Sequence, residues 1–355
     1  MERIQTSLEA EMHLKSGVTY IRHFTRPKGG NKMDAVEMKP ALGWLEAAAK
    51  WFRSGLAKKS GGPRIGLALG GGFARGIAHI GVLRALEKNN IPIHVVAGVS
   101  SGAIVAAAMA SGSSADEIQR IALSMKFRDI ARWTVNLLGL AGNDRMITFL
   151  GRLLKTNRFE EMQIPLAIIA TDLVKGSPVT FHSKGDVVAP IRASCAYPGL
   201  FLPLRYQGRM LVDGFVSMEV PAAPLLQMGA DRVISVSIPN QEGNGDYGNM
   251  FSVVSRCFQV MSSRTENSWR RYSNVVISPP VADMSWDSFA SASRLIELGE
   301  QSAMAAMPAI KKWLTQPMPA ALPAAIQSIP QAQGTRPQFG NIFPNRDRKG
   351  AGAFR

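Results

Sequence analysis

The fold of this chain is decided by residues 64–110, RIGLALGGGFARGIAHIGVLRALEKNNIPIHVVAGVSSGAIVAAAMA. The continuous apolar run Ile65–Leu69 predicts a buried strand, residues 75–89 predict a helix, and residues 94–97 predict a second strand. A strand, a helix and a strand in this order predict a parallel pair joined by a right-handed crossover. A sharp turn at Ser100 then leads into an apolar helix.

Downstream of this stretch, strands and helices are predicted to alternate as far as about residue 314. The pattern from Ser114 to Glu117 is a capping box and predicts the start of one helix. Helices are expected as far as about residue 154, strands at 165–170, 179–182, 210–212, 233–238 and 275–278, a loop at 197–203, and helices at 187–196, 221–228, 250–271 and 287–314. Alternation of this kind places the chain in the α/β class.

The composition is that of a globular protein with basic ends. Of its 355 residues, 46% are hydrophobic, which is enough for a sizeable core. The formal net charge is +15, and residues 1–63 hold 11 Lys/Arg against 6 Asp/Glu, while residues 316–355 hold 5 against 1. Charge on the flanks rather than on the body argues against nucleic-acid binding. It favours either simple solubility or attraction to an anionic membrane surface.

Composition divides the chain into three parts. Residues 1–63 are a basic segment in which 41–59 predict an amphipathic helix, either interfacial or docked on the body. Residues 64–315 are the predicted folded domain, and residues 316–355 are predicted to be a disordered basic tail rich in Pro, Ala and Gln. We find no secretory signal and no membrane-spanning apolar run, and two cysteines are too few for a disulfide framework. We therefore expect a cytoplasmic protein, with peripheral membrane contact as a further option.

The residues Gly98-Val99-Ser100-Ser101-Gly102 fit the pattern G-x-S-x-G between a strand and a helix. At such a turn the serine backbone is strained and its neighbours must be small, so that the hydroxyl projects into a cleft. The amino end of the following helix favours negative charge that develops beside it. The pattern is weak alone, but in this context it predicts a nucleophile at Ser100 rather than a simple helix cap.

A second glycine-rich turn, Gly70-Gly71-Gly72, follows the first strand. Backbone amides in such a run can point at one anion without obstruction from side chains. The spacing fits neither common nucleotide motif, because Arg75 stands where G-x-G-x-x-G needs glycine and Ile77 stands where G-x-x-x-x-G-K-[ST] needs lysine. We therefore predict an oxyanion hole. Arg75 either adds positive charge near a phosphate or is a surface arginine on the first helical turn.

The histidines offer few ways to activate Ser100. None of the five follows His182, so an in-order Ser–Asp–His triad would have to use Asp172 and His182. Those two residues are ten positions apart, in strands expected to be neighbours. His79 and His94 are predicted to be packing or hydrogen-bonding residues.

A carboxylate is the alternative base, provided that burial raises its pKa. Asp213 is the preferred candidate, because it stands directly after the apolar run 210–212 and before Gly214. Asp172 has a similar position at a strand end and is the second choice. An ordinary Asp-Gly turn is the competing interpretation of Asp213.

Taken together, GGGFARGIAHIGVL (70–83), GVSSG (98–102) and Asp213-Gly214 resemble the patatin-like phospholipase family, in its bacterial branch. The segments ATDLVKGSPVTF (170–181) and RASCAYPGLFLPL (192–204) also resemble the family, so the likeness extends over about residues 64–240. It implies a three-layer α/β/α fold with a mostly parallel central sheet and a Ser-Asp dyad. Ser100 would be the nucleophile, Asp213 the general base, and Gly70 to Gly72 with Arg75 the oxyanion and phosphate region.

One departure from the family pattern falls beside Asp213. The family usually has Gly or Ala after Asp-Gly, whereas this chain has Phe215. The asparagine usual shortly afterwards is replaced in the region of Met218 and Glu219, although Pro221 is kept. This departure affects the local shape beside the carboxylate and hence the substrate.

The sequence therefore predicts a lipolytic serine hydrolase of phospholipase A or lysophospholipase type, which requires neither a metal nor an organic cofactor. Its expected partner is a lipid or another acyl ester. Two alternatives stay open: a cytosolic thioesterase or small-ester hydrolase, and a catalytically weakened, membrane-associated regulatory protein.

Overall fold

The computed structural model describes residues 62–134, 136–239 and 248–315. The amphipathic helix predicted at 41–59 and the disordered tail predicted at 316–355 lie outside these described residues. Secondary structure runs from a strand that begins at Ile65 to a helix that ends at Thr315.

Strands and helices alternate along the described chain. The strands are β1 (Ile65–Leu69), β2 (Val95–Val99), β3 (Arg132–Trp133), β4 (Gly139–Gly142), β5 (Leu166–Asp172), β6 (Ser177–His182), β7 (Gly199–Phe201), β8 (Leu204–Tyr206), β9 (Arg209–Asp213), β10 (Arg232–Val236) and β11 (Val275–Ile277). The helices are α1 (Ala78–Lys88), α2 (Ser101–Ala110), α3 (Ala115–Ala122), α4 (Phe127–Ile130), α5 (Met146–Leu153), α6 (Val188–Ser194), α7 (Ala222–Gln227), α8 (Met250–Arg270) and α9 (Ala292–Thr315).

The main sheet contains eight strands in the order β11-β10-β1-β2-β5-β9-β8, with β6 paired to the opposite edge of β5. The five strands from β11 to β5 are parallel, whereas β6, β8 and β9 are antiparallel to their neighbours. β1, β2 and β5 are buried at every position, which is typical of parallel strands covered on both faces. β6 alternates between half-buried and exposed residues, as an edge strand does.

Helices cover both faces of this sheet. α1 connects β1 to β2, packs along α9 and contacts α3. α7 precedes β10, which lies on the other side of β1, and α7 packs against β1, β2 and β10. Gly66 of β1 faces α7, since a Cβ there would lie 3.2 Å from Leu225, whereas its neighbour Leu67 belongs to the buried cluster that includes Leu83 of α1. Because successive residues of a strand face opposite sides of a sheet, α1 and α7 cover different faces. The three-layer α/β/α architecture with a mostly parallel sheet is thereby confirmed.

Several elements differ from the sequence prediction. The region predicted to be helical up to residue 154 contains the β3–β4 hairpin, and the predicted loop at 197–203 contains β7. These short strands form a second sheet in the order β3-β4-β7, and such pairing depends on a partner about 60 residues away rather than on local pattern. The capping box of Ser114 and Glu117 is confirmed. No described helix combines the length and apolar character needed to cross a membrane.

Candidate active site

Ser100 and Asp213 meet because two strands end against neighbouring residues of β5. β2 runs parallel to β5 with Val99 opposite Ile169, whereas β9 runs antiparallel along the same edge with Asp213 opposite Ala170. The residue after β2 and the last residue of β9 are therefore adjacent, although 113 positions separate them in the sequence. Ser100 Oγ donates a hydrogen bond of 2.7 Å to Asp213 Oδ2.

The backbone of Ser100 is strained. Its φ of 53° and ψ of −125° lie outside the regions that side-chain-bearing residues favour, at a cost of about 1–3 kcal/mol. A Cβ on Gly102 would lie 2.3 Å from the carbonyl oxygen of Leu69, so α2 packs against β1 only with glycine there. The Ser100 amide donates to Ser194 Oγ at 2.8 Å, and that hydroxyl donates to the Ile169 carbonyl. The turn is thus held from both sides with the hydroxyl facing Asp213.

Asp213 is fully buried, and each carboxylate oxygen has a defined partner. Oδ1 accepts the Phe215 amide at 2.9 Å, which leaves Oδ2 for Ser100. Gly214 permits this turn, because a Cβ there would lie 2.3 Å from the Ile169 carbonyl oxygen. Burial raises the pKa of Asp213 from 3.8 to about 7, against the opposing effect of the two hydrogen bonds. A carboxylate with this pKa is suited to accept a proton near neutral pH.

The three glycines after β1 have different roles. The Gly70 amide donates to a carbonyl of β10 at 2.9 Å, so it extends the sheet and is not available as an oxyanion donor. The Gly71 amide makes only a long contact of 3.4 Å with a carbonyl oxygen, and the Gly72 amide has no acceptor among the described residues. A Cβ on Gly71 would lie 3.4 Å from the Cβ of Ser100. Gly71 and Gly72 thus stay predicted oxyanion donors. Gly70 is not such a donor, because its amide is already bonded within the sheet.

Arg75 is buried in a 3₁₀ turn at Phe73–Ile77, so the surface-arginine interpretation is wrong. Its Nη1 donates to the Pro239 carbonyl at 3.0 Å, while the buried Nε has no partner within the described part of the chain. Burial lowers the pKa of the guanidinium, and the neighbouring Tyr197 partly offsets this. A role of Arg75 near a substrate phosphate stays a prediction.

The alternative triad of Asp172 and His182 is wrong. In the β5–β6 hairpin Asp172 pairs with Ser177 beside the turn, whereas His182 pairs with Ala167 at the far end. Five residues of strand separate the two positions, which corresponds to about 17 Å.

The other two histidines pack as predicted. His79 is fully buried, and its Nε2 lies 2.8 Å from the carbonyl oxygen of Gly70. Burial lowers the pKa of His79 to about 4, so the ring is neutral and donates this bond. His94 accepts the amide of Ile65 through Nδ1 at 3.0 Å.

Sequence reasoning missed two residues that contact the dyad. Ser194 holds the Ser100 amide, and the thiol of the buried Cys195 lies within hydrogen-bonding reach of the Ser100 side chain. Burial raises the pKa of Cys195 well above its usual range, so the sulfur stays a neutral thiol beside Asp213. Both residues lie in the segment 192–204, which the family resemblance indicated without assigning any role to them.

Aromatic rings enclose the dyad. The ring of Tyr197 lies 5.0 Å from that of Phe73, 5.7 Å from Phe258 and 6.5 Å from Phe215, measured between centroids. The Phe215 side chain also borders Gly71 beside Ser100. These rings add apolar surface near the dyad, and burial of the dyad raises the pKa of Asp213.

Phe215 also borders a pocket of about 210 Å³ between residues 215–223 and α8. Its walls are largely apolar and include Met218, Phe258, Met261 and Trp269. Glu219 lines the same pocket; burial raises the pKa of its carboxyl, and the Trp269 indole donates to it at 3.3 Å. The two departures from the family pattern, Phe215 and Glu219, thus shape one pocket next to the dyad.

Residues 67–226 match the family model described as patatin-like phospholipase. The match includes β1, the Ser100 turn and the end of β9, and with it the predicted resemblance is confirmed. Over these residues the chain is similar to patatin-like phospholipases.

Two curated relatives are similar to parts of this chain. An uncharacterized NTE family protein of Mycobacterium bovis is 37% identical over 186 residues, which are 52% of this chain and 51% of the relative. A lysophospholipase of Neurospora crassa is 30% identical over 243 residues, which are 64% of this chain and 15% of the relative. The chain therefore spans about half the length of the first relative and a small part of the second. Among solved structures, the human GIVD cytosolic phospholipase A2 is similar with a TM-score of 0.40 and 11% identity, over 76% of this chain and 62% of that chain.

Proposed function

We propose that this protein is a serine acyl hydrolase that cleaves acyl esters of lipids, as phospholipases A and lysophospholipases do. The observation that carries the proposal is the hydrogen bond of 2.7 Å between Ser100 Oγ and Asp213 Oδ2 in a buried site. The match to the patatin-like phospholipase model and the similarity to a lysophospholipase support a lipid substrate.

The first step is acylation of Ser100. Asp213 accepts the hydroxyl proton as Ser100 Oγ attacks the carbonyl carbon of the ester. The Phe215 amide holds the other carboxylate oxygen, so the accepting lone pair keeps its direction towards Ser100. Asp213 then gives the proton to the alcohol that leaves, and an acyl group stays on Ser100.

Negative charge develops on the ester oxygen during this attack. The amides of Gly71 and Gly72 and the amino end of α2 are the groups that would stabilise it. Loss of one such donor typically lowers the rate about 10²–10³-fold. In the second step Asp213 takes a proton from water, and the water oxygen attacks the acyl carbon. The bond from that carbon to Ser100 Oγ then breaks, Asp213 returns the proton to Oγ, and the carboxylic acid is released.

Phe215 does not displace the general base from its position. Its amide supports Asp213, whose pKa is raised by burial, and its ring adds apolar surface near the dyad. This arrangement favours an active enzyme over the catalytically weakened regulatory protein. The pocket beyond Phe215 offers apolar walls on which part of a lipid would pack.

The proposal includes a cytoplasmic setting and peripheral contact with an anionic lipid surface. Its support is chemical: the described cysteines, Cys195 and Cys257, are unpaired, and an enzyme of this type meets its substrate in a membrane. The basic flanks of the sequence would favour such contact.

Product analysis on a total lipid extract tests the proposal. Wild-type protein is expected to release free fatty acid and lysophospholipid or its deacylated product, and Ser100→Ala is expected to release neither. The matched control is Ser124→Ala, which changes an exposed serine just after α3. This variant is expected to keep full activity. Activity on acyl thioesters with none on lipid esters would favour the thioesterase, and wild-type rates for Ser100→Ala would refute the mechanism.

A further inference from the structure

The β3–β4 hairpin exposes an unusual amount of apolar surface. Trp133 is 65% exposed, Leu137 105%, Leu138 61% and Leu140 48%. We call these four residues the apolar tip. Single exposed leucines are ordinary, but four large exposed apolar side chains within one hairpin mark a site that meets another apolar phase.

Positively charged residues flank the apolar tip in the chain. Four exposed cations lie before and after it in the chain, Lys126, Arg128, Arg132 and Arg145. Within the described residues none of the four forms an ion pair. The nearby acids are engaged elsewhere, since Asp129 accepts the amide of Lys126 at 2.8 Å and Asp144 pairs with Arg192. The surface thus joins apolar side chains to available cations.

The hairpin is attached directly to the candidate active site. β4 pairs with β7, with Ala141 opposite Phe201, and β7 begins just after Tyr197 of the aromatic enclosure. The residue before Tyr197, Ala196, accepts the backbone amide of Asp213 at 2.9 Å. Fewer than a dozen residues of backbone therefore separate the apolar tip from the dyad.

Aromatic rings form a second connection between the two places. The ring of Trp133 lies 5.3 Å from Phe127, and Phe127 lies 6.4 Å from Trp286. Trp286 lies 5.2 Å from Phe73, which follows the glycine turn beside Ser100. An apolar path therefore leads from the exposed hairpin to the dyad.

We propose that the apolar tip docks the enzyme onto an anionic lipid surface. Its leucines enter the boundary between head groups and acyl chains, Trp133 lies at that boundary, and the flanking cations contact lipid phosphates. This inference rests on the proposed function, because it names the surface through which the same site reaches its lipid. It places the membrane contact in the folded domain rather than in the basic segment at 41–59.

A lipid surface fits the apolar tip better than a protein partner or a second copy. The tip consists of highly exposed side chains of a short hairpin, Leu137 above all, so it suits insertion into a soft phase. An excess of unpaired cations would repel an identical surface but attracts anionic head groups. Docking at this position would also bring the aromatic path against the bilayer.

The test uses the full-length protein and vesicles of phosphatidylcholine mixed with phosphatidylglycerol. The double variant Leu137→Ser/Leu138→Ser is compared with a control variant, Met304→Ser/Leu314→Ser, which also removes two exposed apolar side chains. Met304 lies on α9 and contacts Asn89 at the far end of α1, away from the sheet edge that carries Ser100. The hairpin variant is expected to lose about tenfold to a hundredfold in vesicle binding, whereas the control variant binds as the wild type does.

Two activity assays separate docking from catalysis. Hydrolysis of phospholipid in the same vesicles should fall together with binding, while hydrolysis of a soluble short-chain ester should stay at the wild-type rate. Wild-type binding by the hairpin variant would overturn the docking proposal and leave the hydrolase proposal intact. Ser100→Ala should bind vesicles as the wild type does, because docking does not use the nucleophile. If the wild type bound vesicles but hydrolysed no ester, the hydrolase proposal would be refuted and the docking proposal would stand.

A second measurement does not depend on loss of function. An environment-sensitive dye is placed by Leu138→Cys in a Cys257→Ser background, because Cys257 is itself exposed. Anionic vesicles are expected to shift the emission to the blue, less so at high salt. Unchanged emission would overturn the proposal. So would sedimentation showing that Leu137→Ser/Leu138→Ser dissociates a dimer of the wild type without changing vesicle binding.

Discussion

Asp172 and Asp213 end neighbouring strands of the same sheet, yet their carboxylates have different partners. Both side chains are buried, at 3% and 0% exposure. Asp172 Oδ1 accepts two backbone amides of the turn that follows β5, at 3.0 and 3.1 Å. Asp213 divides its oxygens between one backbone amide and the hydroxyl of Ser100. One aspartate therefore shapes a turn, while the other accepts the hydroxyl of the proposed nucleophile.

The difference follows from the register of the strands. β2 ends opposite Ile169, and β9 ends opposite Ala170, so the end of β9 faces the turn that carries Ser100. Asp172 lies further along β5, beyond the end of β2, and among the described residues its carboxylate accepts backbone amides rather than a hydroxyl. In this sheet, the aspartate that meets Ser100 is the one whose strand ends beside the end of β2 along β5.

Exchange of the two carboxylates for amides should give the largest effect. Asp213→Asn removes the proton acceptor with little change of shape, so ester hydrolysis should fall about 10²–10⁴-fold. Asp172→Asn should keep the rate within a few-fold of wild type, because its carboxylate only accepts turn amides. Steady-state kinetics on a soluble ester measure both variants. Equal losses in the two variants would contradict the distinction between the aspartates.

Asp213→Asn and Asp172→Asn should change the free energy of unfolding in opposite directions. Because burial raises the pKa of Asp213 from 3.8 to about 7, the ionised carboxylate destabilises the folded state at pH values above 7. Asp213→Asn should therefore raise the free energy of unfolding there by about 4 kcal/mol.

The gain should shrink as the pH falls from 7 and vanish below about 3.8, where the carboxyl is protonated in both the folded and the unfolded state. Asp172→Asn should instead lower stability by about 1 kcal/mol, since it weakens two hydrogen bonds to a carboxylate. Urea denaturation at several pH values gives both quantities. A destabilised Asp213→Asn protein at pH 8 would mean that the carboxylate is not under strain.

The dependence of kcat/KM on pH should show a smaller, graded effect. Because Asp213 must be ionised to accept the proton, kcat/KM should fall about tenfold for each pH unit below 7. Asp172→Asn should retain this acid limb unchanged. An acid limb with its midpoint near 4 would indicate a base in an ordinary, solvated environment.

The pattern of the sequence predicted much of this site. The apolar run at β1, the turn at Ser100 and the strand-end position of Asp213 are local features, and the structure brings them together. The shortage of histidines after Ser100 favoured a carboxylate, and Asp213 is the carboxylate that accepts the Ser100 hydroxyl.

The rest depends on contacts that local patterns do not contain. The amide of Gly70 belongs to the sheet because β10 passes beside it, and Arg75 is buried because the chain near Pro239 returns over it. Ser194 reaches Ser100 across 94 positions. The β3–β4 hairpin escaped prediction because its strands are very short and pair with β7 from a distant segment.

The central claim is that Asp213 activates Ser100, and labelling with an alkyl fluorophosphonate tests it most directly. We expect the adduct on the peptide that contains Ser100, formed at similar rates in the wild type and Asp172→Asn, and about 10²–10⁴-fold more slowly in Asp213→Asn. An adduct on another residue, or equal labelling rates with and without the Asp213 carboxylate, would contradict the account.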